Sequence, residues 1–374
     1  MKFQEDFIMA TQTFLCSRCG AEKSLDDRYM VGNKAVCMDC MLDSTAICEH
    51  CGTRIWRTDA VEDDEMTLCA SCFERHYTRC CECNDIVAND SAYYDDHENA
   101  YCSSCWDDME PDKPIHEYSY KPDAIFYGEG NRYFGVELEI DGGGCDTYAA
   151  KHILGAANSC AEHLYIKTDG SLDCGLELVT HPMTLDYHLY NMPWNDVLEE
   201  ARALNYLSHK TDTCGLHVHI SRKAFGQFTL EQECTIARLL YFVEKFWTEL
   251  LRFSRRTEGQ VNRWAARYGL KLSPQEVMDS AKGSRMGRYT AVNLTNYNTV
   301  EIRLFRGTLK RNTLLATLQM VNAICDVAVF LSDEELQRLS WHQFLDRIYE
   351  PELIQYLKER NLYKNDPVTA EEDD

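Results

Sequence analysis

The chain has 374 residues, 45% hydrophobic and 26% charged, and its 38 Lys plus Arg stand against 61 Asp plus Glu for a formal charge of -23. This much apolar content can bury two cores and excludes a disordered chain, while the acidic balance excludes a nucleic-acid backbone or an anionic membrane as the main partner. The opening MKFQEDFIMATQTF is too acidic for a secretion signal and no apolar run approaches spanning length, so the expected location is cytoplasmic. In that compartment the 19 cysteines are expected as metal ligands and buried thiols, not disulfides.

From the N-terminus, 12 of these cysteines form an array: Cys16, Cys19, Cys37 and Cys40, then Cys48, Cys51, Cys69 and Cys72, then Cys80, Cys83, Cys102 and Cys105. The units start 32 residues apart, and each holds two CxxC pairs separated by 17 or 18 residues. A CxxC turn offers two thiolates to one cation, and two pairs close a tetrahedral shell, so each unit predicts one structural Zn²⁺. Between the pairs, VGNKAV reads as a hairpin, and CMDCMLDS, CASCFERHY and CSSCWDDME each read as the start of a short helix. The pattern resembles LIM or GATA-type zinc modules. Which pair joins which, within a unit or across neighbours, is open from spacing alone. Residues 1–115 carry 24 acidic and 10 basic side chains, and three tetrathiolate zinc sites add about -6 more, so phosphate would be repelled and the array is expected either to dock protein or to cover the catalytic domain. Cys81 is a spare thiol, and His50, His76 and His97 are expected as surface histidines.

Pro111, Pro114 and Pro122 then mark a linker, with the domain boundary placed at 117/118. The expected domains are 1–117 with modules at about 16–40, 48–72 and 80–105, an α+β catalytic domain over 118–365, and an acidic, disordered tail over 366–374. Periodicity predicts a strand at 133–140, a helix at 146–162, strands around DGSL and GLELVTHP, and a helix at 185–208. It continues with the strand GLHVHIS, a long helix capped by Thr229 and Gln232, a helix at 259–269, a strand pair at 290–306 and helices to 361.

Four of these segments alternate in one way: Val136/Leu138/Ile140, Leu176/Leu178, Leu216/Val218/Ile220 and Val300/Ile302/Leu304 interleave with Glu137/Glu139, Glu177, His217/His219 and Glu301/Arg303. Period-two alternation puts the apolar set on a core and the acids, imidazoles and guanidinium on the opposite face. Glu137 and Glu139 on that face have Cα atoms about 7 Å apart, close enough for two cations to face one substrate. Carboxylates with one or two imidazoles favour Mg²⁺ or Mn²⁺, ions that bridge nucleotide phosphates, and Arg303 supplies positive charge for a transferring phosphoryl group, with Arg306 at the strand end.

YFGVELEID, TDGSL, GLELVTHP, CGLHVHIS and AVNLTNYNTVEIRLFRGTL, in this order over residues 126–330, resemble the amidoligases of the glutamine synthetase and glutamate-cysteine ligase superfamily. The resemblance implies a glutamine synthetase-like antiparallel sheet forming a cup, in a bacterial or phage setting. It implies Glu137, Glu139, Glu177, His217 and Glu301 as metal ligands, His219 and Arg303 near the nucleotide phosphates, and Arg306 as a phosphate or substrate contact. The implied activity is an ATP-dependent carboxylate–amine ligase: ATP converts a carboxylate to an acyl phosphate, and a neutral amine displaces phosphate, with Asp169 accepting its proton or binding it. The zinc modules would then recognise a protein or peptide substrate. Two alternatives stay open: an inert ligase fold serving as an adaptor, and a phosphotransferase of the same fold.

The remaining residues are plainer. Gly142, Gly143 and Gly144 form a turn without the Lys-Ser/Thr of a P-loop. Asn293, Asn296, Gly307 and Thr308 fit either substrate contacts or ordinary turn chemistry, and His181 either site or structure. Cys145, Cys160, Cys174, Cys214, Cys234 and Cys325 lack paired spacing and are expected as plain thiols.

Overall fold

The structure, a computed structural model, describes residues 13–95, 97–108, 113–284 and 286–364. The expected acidic tail and Pro111 lie outside the described residues. The chain divides into two compact units, Met1–Pro111 and Asp112–Asp374. The boundary thus falls before the expected 117/118, because His116 N donates to Ile166 O at 2.9 Å and His116 O accepts from Thr168 N at 3.0 Å, tying this segment to the second unit.

In the first unit the repeat becomes three similar modules. A hairpin flanks each first CxxC: Thr13–Leu15 with Glu22–Ser24, Thr45–Ile47 with Arg54–Trp56, and Tyr77–Arg79 with Ile86–Ala88. A second hairpin leads into each second pair, and the short helices Met38–Ser44, Ala70–His76 and Ser103–Asp108 follow. The cores are small: Cys16, Val31, Val36, Cys37 and Met41 make up the first.

The second unit is α+β. Its six-stranded sheet comprises β1 (Phe134–Ile140), β2 (Leu164–Lys167), β3 (Leu176–Thr180), β4 (Gly215–Ser221), β5 (Val292–Asn293) and β6 (Thr299–Arg306), all neighbours antiparallel, in the order β2-β3-β1-β4-β6-β5. Leu138 pairs with Leu178 and Leu216, Val136 with Val218, and Val218 with Ile302. One face is therefore continuously apolar. Helices Thr147–Ala157, Trp194–Ala203, Thr229–Lys245 and Arg311–Phe330 bury it with residues such as Ile153, Leu198, Leu240 and Leu318.

Several expected elements shift. DGSL is a turn, since the strand precedes it at Leu164–Lys167. The helix expected at 185–208 is two, Leu185–Tyr190 and Trp194–Ala203, interrupted by Pro193, which lacks the N–H a continuous helix needs. Thr229 is the first helical residue and not a cap; the carboxylate of Glu231 accepts from Gln227 N and Phe228 N instead. That helix ends at Lys245 and a second runs over Trp247–Ser254, while Pro274–Lys282 is a helix the pattern did not predict. The expectation that no apolar run reaches spanning length is also corrected: Arg311–Phe330 meets it by length and composition, with 78% of that window buried inside the fold.

His188 is fully buried, its Nε2–H donating to Phe134 O at 3.0 Å, and burial lowers its pKa from 6.5 to about 4. The folded value lies below the unfolded one, so its contribution to stability is intact above pH 6.5 and is lost as pH falls toward 4. One such group costs up to about 3 kcal/mol. Urea unfolding at pH 7 and pH 4.5 should show a steep loss in the parent chain and a shallower one in His188→Gln.

Candidate functional site

The zinc candidates come first in the chain. In each module the four sulfurs lie within 4.8 Å of one another, and the groups are Cys16/Cys19/Cys37/Cys40, Cys48/Cys51/Cys69/Cys72 and Cys80/Cys83/Cys102/Cys105. Pairing is within units. Backbone N–H groups turn toward the sulfurs: Cys37 N donates to Cys16 Sγ, Cys72 N to Cys69 Sγ and Cys105 N to Cys102 Sγ, each at 3.4 Å. At the first site the backbone N–H of Cys19 foremost pulls the Cys16 thiol down to about 6, which favours thiolate there. A closed set of four soft ligands without a hard donor fits structural zinc. His50 and His76 are exposed, as expected, and their rings stack at 4.4 Å, with His50 Nδ1 3.1 Å from Tyr77 Oη.

The second candidate is the polar face of the sheet. Antiparallel register sets Glu139 opposite Glu177, Glu137 opposite His217, His219 opposite Glu301 and Asn293 opposite Glu301. Side chains opposite one another in such a ladder share a face. Trios of ligand atoms result, among them Glu137/His219/Glu301 and Glu137/Glu177/His217. Glu137 belongs to both. Its Oε1 is 3.1 Å from His219 Nε2 and its Oε2 is 3.3 Å from His217 Nδ1.

The surroundings aim these groups. His219 Nδ1 meets Thr299 Oγ1 at 3.1 Å, which leaves Nε2 buried and directed at Glu137 and Glu301. Glu301 Oε2 accepts from Asn293 Nδ2 at 2.8 Å and Asn296 Nδ2 at 3.2 Å, so Oε1 faces the histidines and the Arg303 guanidinium. Asn293 and Asn296 therefore orient a ligand atom. Glu139 accepts from Gly215 N, and its other oxygen lies 3.9 Å from His217 Nε2. Glu177 pairs with Lys167 Nζ at 3.1 Å.

Electrostatics divides the acids. Burial works against ionisation of Glu137, yet His219 and His217 hold it well below the usual carboxylate range. Burial opposes a charge on His219 as well, and the Glu137 carboxylate overrides it to raise the imidazole to about 9. Glu177 is pushed up to about 8 by burial and by the charge of Glu137. An excess of acids and imidazoles crowded this closely fits two divalent cations, which would offset their mutual repulsion. His219 Nε2, paired with Glu137 Oε1, would hold one once the arriving cation displaces its proton. The face is open mainly at Glu137, His219 and Arg303, whose side chains are 20%, 19% and 12% exposed.

The structure thus brings Glu137, Glu139, Glu177, His217, His219, Glu301 and Arg303 together. His219, expected beside nucleotide phosphates, stands in a ligand trio. Asp169 lies within electrostatic range of Glu139, Glu177 and Lys167, and its Oδ1 caps the following turn by accepting from Ser171 N at 2.6 Å. Arg306 reaches the polar face through a bulge: Val218 pairs with Ile302 but Leu216 with Phe305, so two steps on β4 oppose three on β6. Phe305 then turns into the core against Phe253, and Arg306 sits opposite Gly215. His181 is buried, its Nδ1 accepting from Ile125 N at 3.3 Å, a structural placement.

Sequence reasoning passed over Lys167, Arg256 and Gly215. A Cβ on Gly215 would come within 2.6 Å of His217 Nε2 and 2.7 Å of Arg256 Nη2, so the bare α-carbon makes room for both. Gly215→Ala should cost about 1–3 kcal/mol by overpacking and displace His217. Urea unfolding with Mn²⁺ titration checks this, the expected result being weaker Mn²⁺ binding in a folded variant.

No family model matches the chain, and no curated protein matches it. Among solved structures it is similar to a bifunctional glutathione synthetase from Pasteurella multocida, with 15% identity and a TM-score of 0.34, over 62% of this chain and 46% of that one. The chain spans less than half the length of that protein.

Proposed function

We propose that this protein is an ATP-dependent carboxylate–amine ligase. The observation that carries the reading is Glu137 shared between two carboxylate–imidazole trios on one buried sheet face, with Arg303 beside them. Glu137, Glu177 and His217 would hold one Mg²⁺ or Mn²⁺, and Glu137, His219 and Glu301 a second, with Glu139 alongside. Such ions supply charge neutralisation for phosphoryl transfer between anions.

The residues of the chain do the rest. A substrate carboxylate oxygen attacks the γ-phosphorus of ATP, the bond to the β-phosphate oxygen breaks, and ADP leaves with that electron pair. Arg303, held by Glu301, stabilises charge on the transferring phosphoryl oxygens. A neutral amine then attacks the acyl carbon, inorganic phosphate departs, and Asp169 takes the surplus proton. The buried surroundings of Glu139, Glu177 and His217 exclude water that would hydrolyse the acyl phosphate. The zinc modules, acidic overall, serve in this reading to present a protein or peptide substrate.

The test is hydroxamate formation from a panel of carboxylates with ATP, Mg²⁺ and hydroxylamine. ATP-dependent hydroxamate with stoichiometric phosphate release supports the ligase. Phosphate transferred to a guanidine or amine, without hydroxamate, would replace it with a phosphotransferase.

A further inference from the structure

The segment after Asp112 runs along the edge strand β2. His116 pairs with Lys167 as an added parallel strand would, His116 N donating to Ile166 O at 2.9 Å and His116 O accepting from Thr168 N at 3.0 Å. Alternation then sets His116, Tyr118 and Tyr120 on the polar side, with Tyr165 and Lys167. The side chains meet accordingly. The His116 and Tyr120 rings stack at 3.7 Å, Tyr120 meets Tyr165 edge-on at 5.5 Å, and Lys167 Nζ lies 5.5 Å from the centre of the Tyr118 ring. Lys167 is the cation paired with Glu177, so Tyr118 overhangs the Glu177 side of the face.

From the opposite edge comes Arg288. The chain beside it is tied to β6: Ala266 N donates to Tyr289 O at 2.9 Å, Ala291 N to Ala266 O at 2.8 Å and Arg303 N to Ala291 O at 2.9 Å. Yet the Arg288 guanidinium lies 5.3 Å from the centre of the Tyr118 ring and 5.3 Å from that of Tyr289. In the order β2-β3-β1-β4-β6-β5 the two edges stand five strand spacings apart, about 24 Å in a flat sheet. Side chains rooted at those edges can meet only by reaching over the face between them, and on its polar side, because helices fill the apolar side. Between the edges Glu139, Glu177, His217 and Glu301 are each 4% exposed or less. The clasp is weak. A cation against exposed rings gains little, and Tyr118 and Tyr289 are 44% and 41% exposed, so the contact can part while the sheet stays intact.

We propose that Tyr118 and Arg288 form a gate over the polar face, which the cations and anions of the proposed reaction pass only when the two side chains separate. The gate rests on this placement and stands whether or not the reaction is a ligation.

The experiment is carboxyl labelling of the full chain with a water-soluble carbodiimide and glycine ethyl ester, read at Glu177 by peptide mass spectrometry, with exposed Glu258 as the control. Tyr118→Ala and Arg288→Gln should each label Glu177 about tenfold faster than the parent chain, with the Glu258 rate and the urea midpoint unchanged. Arg288 does not touch Lys167 or Glu177, so its effect reads the gate and not the ion pair. Tyr118→Phe keeps a ring for both cations and should label at the parent rate. Equal labelling of Glu177 in the parent, Tyr118→Ala and Arg288→Gln, a Tyr118→Phe chain as fast as Tyr118→Ala, or an acceleration shared by Glu258 would each overturn the gate. Release of Mn²⁺ to EDTA separates the two readings: it should quicken by the same factor in both open variants, whereas a face that binds no Mn²⁺ but shows the labelling change would keep the gate and remove the cation site.

Discussion

Glu137→Gln lowers ATP-dependent hydroxamate formation by at least about 10³-fold, because one substitution removes a ligand from both ion trios. Its two oxygens face different imidazoles, at 3.1 Å from His219 Nε2 and 3.3 Å from His217 Nδ1. A glutamine keeps the shape and one acceptor but turns two N–H donors toward a cation. The same change removes the largest of the charges that raise His219, so its pKa falls. Glu137 lies on the face opposite the core, so circular dichroism and the urea midpoint should show a folded chain. Activity retained within tenfold in that folded variant would take the chemistry away from this site.

Three zinc ions per chain are expected by elemental analysis, and Cys48→Ala should reduce the count to two. The apolar cores of the modules are too small to fold unaided, and structural zinc contributes on the order of 10–16 kcal/mol in comparable modules. Loss of the second site should reach both neighbours, since Trp56 packs against the core of the first module. Ile86, from the third module, shares a core with Cys48 and Leu68, and Ile86 N donates to Asp63 Oδ2 at 2.5 Å. Hydrogen exchange of residues 86–88 should therefore rise in Cys48→Ala and change little in Cys16→Ala. A count that stays at three in Cys48→Ala would contradict ligation by this set.

Local spacing explains what could be foreseen. The 32-residue cysteine period and the alternation of β1, β3, β4 and β6 are visible because ligands or faces recur within a few residues of one another. What depended on pairing between distant segments was hidden. Glu177 meets Lys167 only because β2 lies beside β3 in a fixed register, and no feature of IKTDGSL announces it. Strict alternation places Arg306 in the core; the bulge in β6 reverses it and buries Phe305 instead. Gly215 carries no side chain to attract notice, yet the approach of His217 and Arg256 depends on that absence. His116, in a proline-marked segment that read as linker, becomes part of the sheet edge through hydrogen bonds to residues about 50 positions away, a long-range pairing no local pattern encodes.

The central claim is that one buried sheet face gathers two divalent cations through a shared Glu137. Mn²⁺ titration of the chain with a non-hydrolysable ATP analogue, followed by electron paramagnetic resonance, tests it most directly. The account predicts two bound Mn²⁺ ions whose spectrum shows exchange between them and loses that exchange in Glu137→Gln. Mn²⁺ that binds singly, or a coupled pair that Glu137→Gln leaves untouched, would contradict it.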